Sequence, residues 1–579
     1  MKHTIRKLLI LSLGFTGLVT AQDRPFVDVS WAAGNSVPGA VVSNIANHLS
    51  LQEEACVLSA RRMNTLVDTF DQKIDRALRS LGYYHASWEK SVQQLDNCWK
   101  LDLRLDTGEP VIIDDVVVRL RGPIEEDSKI SSVVDEGLAL QGTQLNHAEY
   151  ERFKRRLQSY SQRWGYIEGQ YLEQTLQVNV DLNQAVIRLV YDGGPRYSFG
   201  ETSFEGTSFN EEFLQRYQPF QYGQPYDSNL VGDFQHALLN TGYFDNVAVV
   251  QREPDRDNHL IPLVVTTTQT AKFETSIGLG FATDTGPRAS LGFDHNRVNP
   301  VGHQYSANLK LSQVESSFDF GYRIPLANPR VEQASFRSGW TSENTDTSES
   351  DIWFVGGSRA TEQDNGWLKT LDLVYQVESF QVGTTDDRLN LLIPGINWNK
   401  TRSNDVLYPT SGLSLLASVR GSAESPVSDT SFVQLTGSAK YIKKLGRGRL
   451  LTRINAGFTW VDETSELPAS LRFFTGGDNS VRGYEYQSLG PEDAEGDVVG
   501  GRHMVAASVE YEFELSSKYG LAVFYDVGNA FDNTSVDVQE SVGFGGRWRS
   551  PVGPIRIDFG FPVDSNLDFR VHLTMGSDL

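Results

Sequence analysis

LRFFTGGDNSVRGY, residues 471–484, joins an aromatic strand end (Phe473, Phe474) to a glycine turn (Gly476, Gly477) and then to Val481-Arg482-Gly483-Tyr484. Arg482 stands at the tip of a glycine-hinged loop, a pattern that alone fits any solvated hairpin tip. Two later runs change its meaning. VEYEF carries Glu510 and FYDVGNAF carries Asp526, each on one face of a period-two pattern. One arginine on a long loop and two strand-borne carboxylates predict a loop pinned inside a barrel. The guanidinium fork suits this, because it engages carboxylates bidentately and never loses its charge. Glu512 and Glu514 share the Glu510 face, so the second acid for Arg482 is Glu510 or Glu512.

The alternation extends over residues 271–579. KFETSIGLGFATD puts Ile277, Leu279 and Phe281 on one face, GLAVFYDVG sets Leu521, Val523, Tyr525 and Val527 against Asp526, and PIRIDFGF alternates with Arg556 and Asp558 inward. In DFRVHLTMG, Val571, Leu573 and Met575 face out, and Arg570, His572 and Thr574 face in. Apolar-out and polar-in at period two predicts a transmembrane β-barrel, and at ~10 residues per strand the region accommodates about 16 strands. PLANP (325–329) and KKLGRGR (443–449) read as short periplasmic turns, and SENTDTSESD (342–351) and PEDAEGD (491–497) as long extracellular loops.

Apolar residues make up only 39% and aromatics 11%, with 51 glycines, which suits a barrel with a polar lumen. A net charge of -22 argues against a nucleic-acid partner, because phosphate binding needs a basic face. Residues 1–21 read as a secretory signal: Lys2, Arg6 and Lys7 precede LLILSLGFTGLV, and cleavage is expected between Ala21 and Gln22. Cys56 and Cys98 are the two cysteines, and export predicts one disulfide between them. It would close a loop of about 43 residues, about 4 kcal/mol in the loop-entropy model.

Residues 22–270 repeat with a period of about 80 residues. A helix ending in Gly plus an aromatic appears as LRSLGYYHASW (Gly82), SQRWGYIEGQY (Gly165) and LLNTGYFDNVAV (Gly242), the expected left-handed cap. Short strands ending at Gly34, Gly122 and Gly206 open the repeats, and CWKLDLRLD, AVIRLVYDG and HLIPLVVTTT close them. Each unit reads strand, helix, helix, strand, strand. The boundaries fall at 22–107, 108–193 and 194–270, giving an α+β array followed by an all-β barrel at 271–579.

In VRGY (481–484), in Phe524-Tyr525-Asp526-Val527-Gly528 and in SPVGPIRIDF (550–559), the chain resembles the outer-membrane insertase superfamily, the BamA/TamA group. That superfamily carries a VRGF/Y loop folded into the lumen and an F-x-D-x-G strand holding its arginine. The resemblance implies that Val481, Arg482, Gly483 and Tyr484 are the loop motif, that Phe524, Asp526 and Gly528 form the matching strand, and that Asp526 holds Arg482 with Glu510 beside it. The repeats resemble POTRA modules, which bind partners by strand addition at an exposed edge. Three of them place the chain nearest TamA. MGSDL, where many such barrels have a terminal aromatic, departs from the pattern.

What the resemblance implies is a non-enzymatic assembly factor of the bacterial outer membrane, with its N-terminal domains in the periplasm. It would help insert β-barrel clients such as autotransporters. Its expected partners are unfolded outer-membrane proteins, outer-membrane lipid and a TamB-like protein anchored in the inner membrane. No cofactor or metal is expected: G-x-S-x-G and H-E-x-x-H are absent, and the ten histidines lack ligand spacing. His572 is expected to face the lumen near Arg570 in a structural role. The rival readings are a pore that secretes a soluble partner and an outer-membrane lumen enzyme. For insertion, the expected opening is the seam where the sheet's ends meet, at Ile277, Gly278, Leu279 and Gly280 on one side and Leu573 and Met575 on the other.

Overall fold

The computed structural model describes residues 26–31, 38–50, 59–95, 98–284, 286–533, 537–550, 553–563 and 569–576. Ala21, Gln22 and Cys56 lie outside this set, and with them the expected cleavage site and disulfide to Cys98. One compact unit runs to Glu201 and takes in Phe220–Leu230 and Arg252–Pro262; the other comprises Thr202–Pro219, Val231–Gln251 and Leu263 onward.

The first repeat is β1 (Phe26–Trp31), α1 (Gly39–Leu49), α2 (Ala60–Arg79), β2 (Ser87–Leu95) and β3 (Cys98–Asp106). The second is β4 (Ile112–Arg121), α3 (Ser128–Leu138), α4 (His147–Arg163), β5 (Gln170–Asn179) and β6 (Gln184–Asp192). The third is β7 (Ser198–Glu205), α5 (Glu211–Gln215), α6 (Ser228–Leu239), β8 (Phe244–Gln251) and β9 (Leu260–Gln269). In every repeat the last strand is central, in the orders β1-β3-β2, β4-β6-β5 and β7-β9-β8. The first strand joins it in parallel in the first two repeats, and the closing hairpin is antiparallel in all three.

Helix and sheet meet because their apolar periods coincide in space. Ser59 caps α2 by accepting the Arg62 amide, and Met63, Phe70, Ile74 and Ala77 then form a buried stripe. That stripe packs with Leu101, Leu103 and Leu105, alternate residues of β3. In the second repeat Tyr150, Phe153 and Leu157 of α4 cluster with Ile187, Leu189 and Tyr191 of β6. Each fully buried side chain of this size contributes ~1.5–3 kcal/mol.

The glycine after each of these long helices is also the joint to the next repeat. Gly82 has φ +87 and its carbonyl accepts the Val111 amide at 2.9 Å; Gly165 has φ +91 and accepts the Tyr197 amide at 2.9 Å. A Cβ would lie 2.6 Å from the Leu145 carbonyl oxygen at Gly82 and 2.7 Å from the Tyr197 carbonyl oxygen at Gly165. Conformation and space therefore exclude a side chain at the same place twice.

Sixteen strands follow in a single antiparallel sheet, from β10 (Phe273–Ala282) to β25 (Arg570–Met575), each paired with its neighbour in sequence. The expected strand number is met. Ile277, Leu279, Trp353, Leu521 and Val523 point outward and are exposed, while the alternate residues turn into the lumen. β13 (Glu315–Pro325) and β14 (Glu332–Asn344) bracket the PLANP turn. SENTDTSESD is not a long loop. β14 continues to Asn344, β15 (Ser348–Glu362) begins four residues on, and the Thr345 amide closes a tight turn on the Ser348 carbonyl at 2.9 Å. Its polar residues alternate as strand residues, because a strand that extends past hydrocarbon has no apolar face to maintain.

Within the second unit the third repeat is tied to periplasmic turns of the barrel. Between β11 (Gly286–His295) and β12 (Gln304–Ser312), the Pro300 carbonyl accepts the Asn210 amide at 3.0 Å and the Gly302 carbonyl accepts the Tyr243 hydroxyl at 2.5 Å. Arg216 donates to the Leu326 carbonyl at 3.0 Å. Tyr243 is the aromatic of the third helix-end motif, so that motif also fastens this repeat to the barrel.

Gly165→Ala should cost about 1–3 kcal/mol through the left-handed backbone and the Tyr197 clash. Limited proteolysis of the full chain should then cut between the second and third repeats earlier than in the parent. An unchanged cleavage pattern would show that this joint tolerates a side chain.

Candidate functional site: the lumen loop and the seam

β20 (Gly448–Trp460) and β21 (His503–Glu514) are joined by residues 461–502, which turn back into the barrel. The loop is fastened along its length. Gln434 on β19 (Phe432–Leu445) donates to the Leu471 carbonyl at 2.8 Å, and the buried carboxylate of Glu378 on β16 (Leu368–Val382) accepts the Ser470 amide at 3.0 Å. Arg453 on β20 donates to the Ser480 carbonyl at 3.1 Å.

At the tip, Arg482 is buried and every nitrogen of its guanidinium is used. Nε and Nη2 donate to the two oxygens of Asp526 at 2.7 and 2.9 Å, and the Arg482 amide reaches Asp526 at 3.1 Å. Nη1 donates to Glu510 at 2.7 Å and to Asp558 at 3.0 Å, and Nη2 to the Ser508 hydroxyl at 3.2 Å. The guanidinium lies 3.4 Å over the Phe524 ring. Arg547 closes the circle, donating to Glu510 and to Asp558, each at 2.5 Å.

These groups converge because alternate residues of neighbouring strands share the lumen face. β21 presents Ser508 and Glu510, β22 (Tyr519–Phe531) presents Phe524 and Asp526, β23 (Gln539–Ser550) presents Arg547, and β24 (Gly553–Pro562) presents Asp558. Three carboxylates face Arg482 and Arg547, with the half-buried Arg453 nearby. Taking such charges from water costs several kcal/mol each, recovered only when each donor and acceptor is met. The cluster therefore specifies where the loop sits more than it adds stability.

Arg482, Asp526 and Glu510 are thus brought together, and the choice between the glutamates is resolved. Glu512 serves a separate cluster, accepting from Arg449 at 2.6 and 3.0 Å and from the Tyr408 hydroxyl. The Tyr408 ring is sandwiched between Arg449 and Arg549 at 3.6 and 3.7 Å. Tyr484 donates to Gln539 at 3.2 Å, and Val481 is fully buried. Gly528 lies against Ala506 on β21, where a Cβ would come within 2.8 Å. Asp558, Arg547 and Ser508 were not singled out by sequence. The inward parity of Asp558 was legible, but its reach to Arg482 was not.

β10 and β25 are the ends of the sheet and lie side by side, yet among the described residues no backbone ladder joins them. Among the described residues six of β25 pair with β24, and ten pairs join β10 to β11. Across the seam the Leu573 amide donates to the Thr283 hydroxyl at 3.1 Å. Gly278 and Gly280 lie under the Ser290 and Arg288 side chains, which occupy the space where their own Cβ atoms would go. These glycines are covered by β11, so missing side chains do not by themselves leave β10 loosely packed. His572 does face the lumen, while Arg570 pairs with Glu485 at 2.8 Å. Among the described residues, Asp284, Asp478 and His572 are the one trio with metal-ligand proximity. Both ring nitrogens of His572 are already hydrogen-bonded, to Asp478 and to the Gly483 amide, so the trio is a hydrogen-bond chain.

An Omp85 superfamily domain model matches residues 264–578, more than half of the chain. The chain belongs to the Omp85 superfamily. The model for TamA POTRA domain 1 matches residues 35–107, and the POTRA model (surface antigen variable number repeat) matches 197–269. This Omp85 protein is an outer-membrane β-barrel with N-terminal periplasmic POTRA domains. Outer membrane protein assembly factor BamA of Neisseria meningitidis is 22% identical over 428 residues, 61% of this chain and 52% of that protein. BamA of Nitratidesulfovibrio vulgaris is 34% identical over 128 residues, 21% of this chain and 16% of that protein. The chain thus spans about half or less of these relatives. The crystal structure of Haemophilus ducreyi BamA lacking POTRA domains 1–3 superposes with a TM-score of 0.68 at 16% identity, covering 80% of this chain and 99% of that one.

Arg482→Ala leaves the buried Asp526 without its cation and Glu510 and Asp558 with Arg547 alone, and should cost about 3–5 kcal/mol. On unheated gels the folded barrel should be lost at a lower temperature. Arg482→Lys should not restore it, because a point charge cannot span Asp526 and Glu510 together. Asp526→Asn should cost less, since Glu510 and Asp558 remain, and the double variant should be no worse than Arg482→Ala. Additive losses would mean that the two residues act separately.

Proposed function

We propose that this Omp85 protein is an outer-membrane assembly factor that inserts β-barrel proteins, autotransporters among them, through its own seam. The reading rests on one observation: among the described residues, the sixteen-stranded sheet has two ends that meet without a ladder. A client strand entering hydrocarbon must never leave its amides unpaired, and a partable seam offers it a template edge. Ile277 and Leu279 would line that edge on one side, and Leu573 and Met575 on the other. The BamA relatives are outer membrane protein assembly factors, which agrees with it.

The TamA-type first POTRA supports the finer assignment, in which that domain docks a TamB-like protein held in the inner membrane. Secretion of a soluble partner through the pore is the second reading. It is disfavoured by residues 461–502, which are bonded across the lumen.

Depletion of the protein followed by proteomics of the outer membrane should show selective loss of barrel clients. A cysteine pair that locks the seam should block client insertion, and reductant should restore it. Release of a soluble partner lost on depletion, with barrel proteins unchanged, would decide for the pore.

A further inference from the structure

Among the described residues no backbone ladder holds the seam, and groups of the lumen loop lie against it. Asp478 lies in the glycine turn ahead of VRGY. Its amide donates to Asp284 at 2.7 Å, in the turn between β10 and β11. Its carboxylate accepts from Thr283 of the same turn at 3.3 Å and meets His572 Nδ1 on β25 at 2.5 Å. One loop residue therefore touches both ends of the sheet. Gly477 makes this approach possible: it has φ +94, and a Cβ there would lie 2.6 Å from the Asp284 carboxylate.

The histidine tautomer follows from its partners. Nε2 accepts the Gly483 amide at 2.8 Å, so it carries no proton. The proton of the neutral ring is on Nδ1 and points at Asp478. Thus β25 is held to the loop at two points, and the loop is held to the first hairpin at Asp284 and Thr283. The Thr283 hydroxyl, which donates to Asp478, also accepts the Leu573 amide. Asp478 and His572 are both buried, so water does not compete for their bond. Beyond them the loop is anchored by Arg482 to β21, β22 and β24.

We propose that Asp478 and His572 are positioning residues that make the lumen loop the clasp of the seam, holding β25 against the first hairpin until the loop lets go. This rests on the lateral-insertion reading above and adds the part that controls the opening. It also gives the charge cluster a purpose beyond fixing the loop, because a loop anchored at Arg482 can hold one end of the sheet to the other.

The test uses the full chain in outer-membrane vesicles with cysteines replacing Phe281 and Met575. Thr283 beside Leu573 in antiparallel strands brings 281 opposite 575. Disulfide formation under mild oxidant is read by mass spectrometry of the seam peptides, which keeps Cys56 and Cys98 out of the measurement. The clasp predicts a rate at least ~5-fold lower in His572→Leu and in Asp478→Ala, with the pair together no worse than the worse single variant. His572→Asn keeps a donor at the Nδ1 position and should recover most of the rate. His572→Gln keeps an acceptor toward Gly483 but not the donor, and should not. A residue that merely fills space would not separate Asn from Gln in this way.

Asp478→Ala changes a loop position, so a folded barrel remains to be measured if His572→Leu fails to fold. Parent rates in Asp478→Ala and in the folded His572 variants would overturn the clasp, as would a parent pair that never forms the disulfide. A seam disulfide that leaves client insertion untouched would overturn lateral insertion and leave the clasp standing.

Discussion

An amide in hydrocarbon has no water to bond to, and this chain crosses the membrane with strands. Among the described residues every strand between β10 and β25 has a paired neighbour on both sides, which leaves the two ends of the sheet as its open edges. The rest of the barrel depends on how those ends are brought together. Among the described residues ten pairs hold β10 to β11 and six hold β25 to β24. Side-chain contacts do here what a ladder does elsewhere.

The lumen meets a second demand with charge. A loop that enters a barrel displaces water from the wall, and its polar groups need replacements for what was lost. Arg482 provides several at once, bridging three carboxylates from three strands while its face lies on Phe524. An apolar plug would slide. A guanidinium with every nitrogen engaged has one position, and the backbone on either side is fixed with it. Asp478 and Gly483, close to Arg482 in sequence, are thereby set against Asp284 and His572.

The periplasmic repeats use a related economy of position. The Gly-aromatic step that ends the second helix of a repeat caps the helix, turns the chain and presents a carbonyl to the next repeat at Gly82 and Gly165. In the third repeat the next module is the barrel, and Tyr243 bonds a periplasmic turn. A local helix-end signal has thus become a connector.

Much of this could be read from sequence because periodicity is local. Alternation at period two marked the barrel and which side of each strand faces the lumen, so Glu510, Asp526 and Asp558 were inward before any contact was known. Helix caps at Gly82, Gly165 and Gly242 marked the repeats for the same reason. Polar strands defeated the rule at SENTDTSESD, where composition suggested a loop and the backbone pairing makes a strand. Which inward residues meet was beyond reach, because register and barrel curvature set those distances and both arise from the whole sheet. Arg482 is distant in sequence from Asp558, and Asp478 from Asp284 and His572. Only closure of the sheet, with the loop folded into its lumen, brings them within a hydrogen bond.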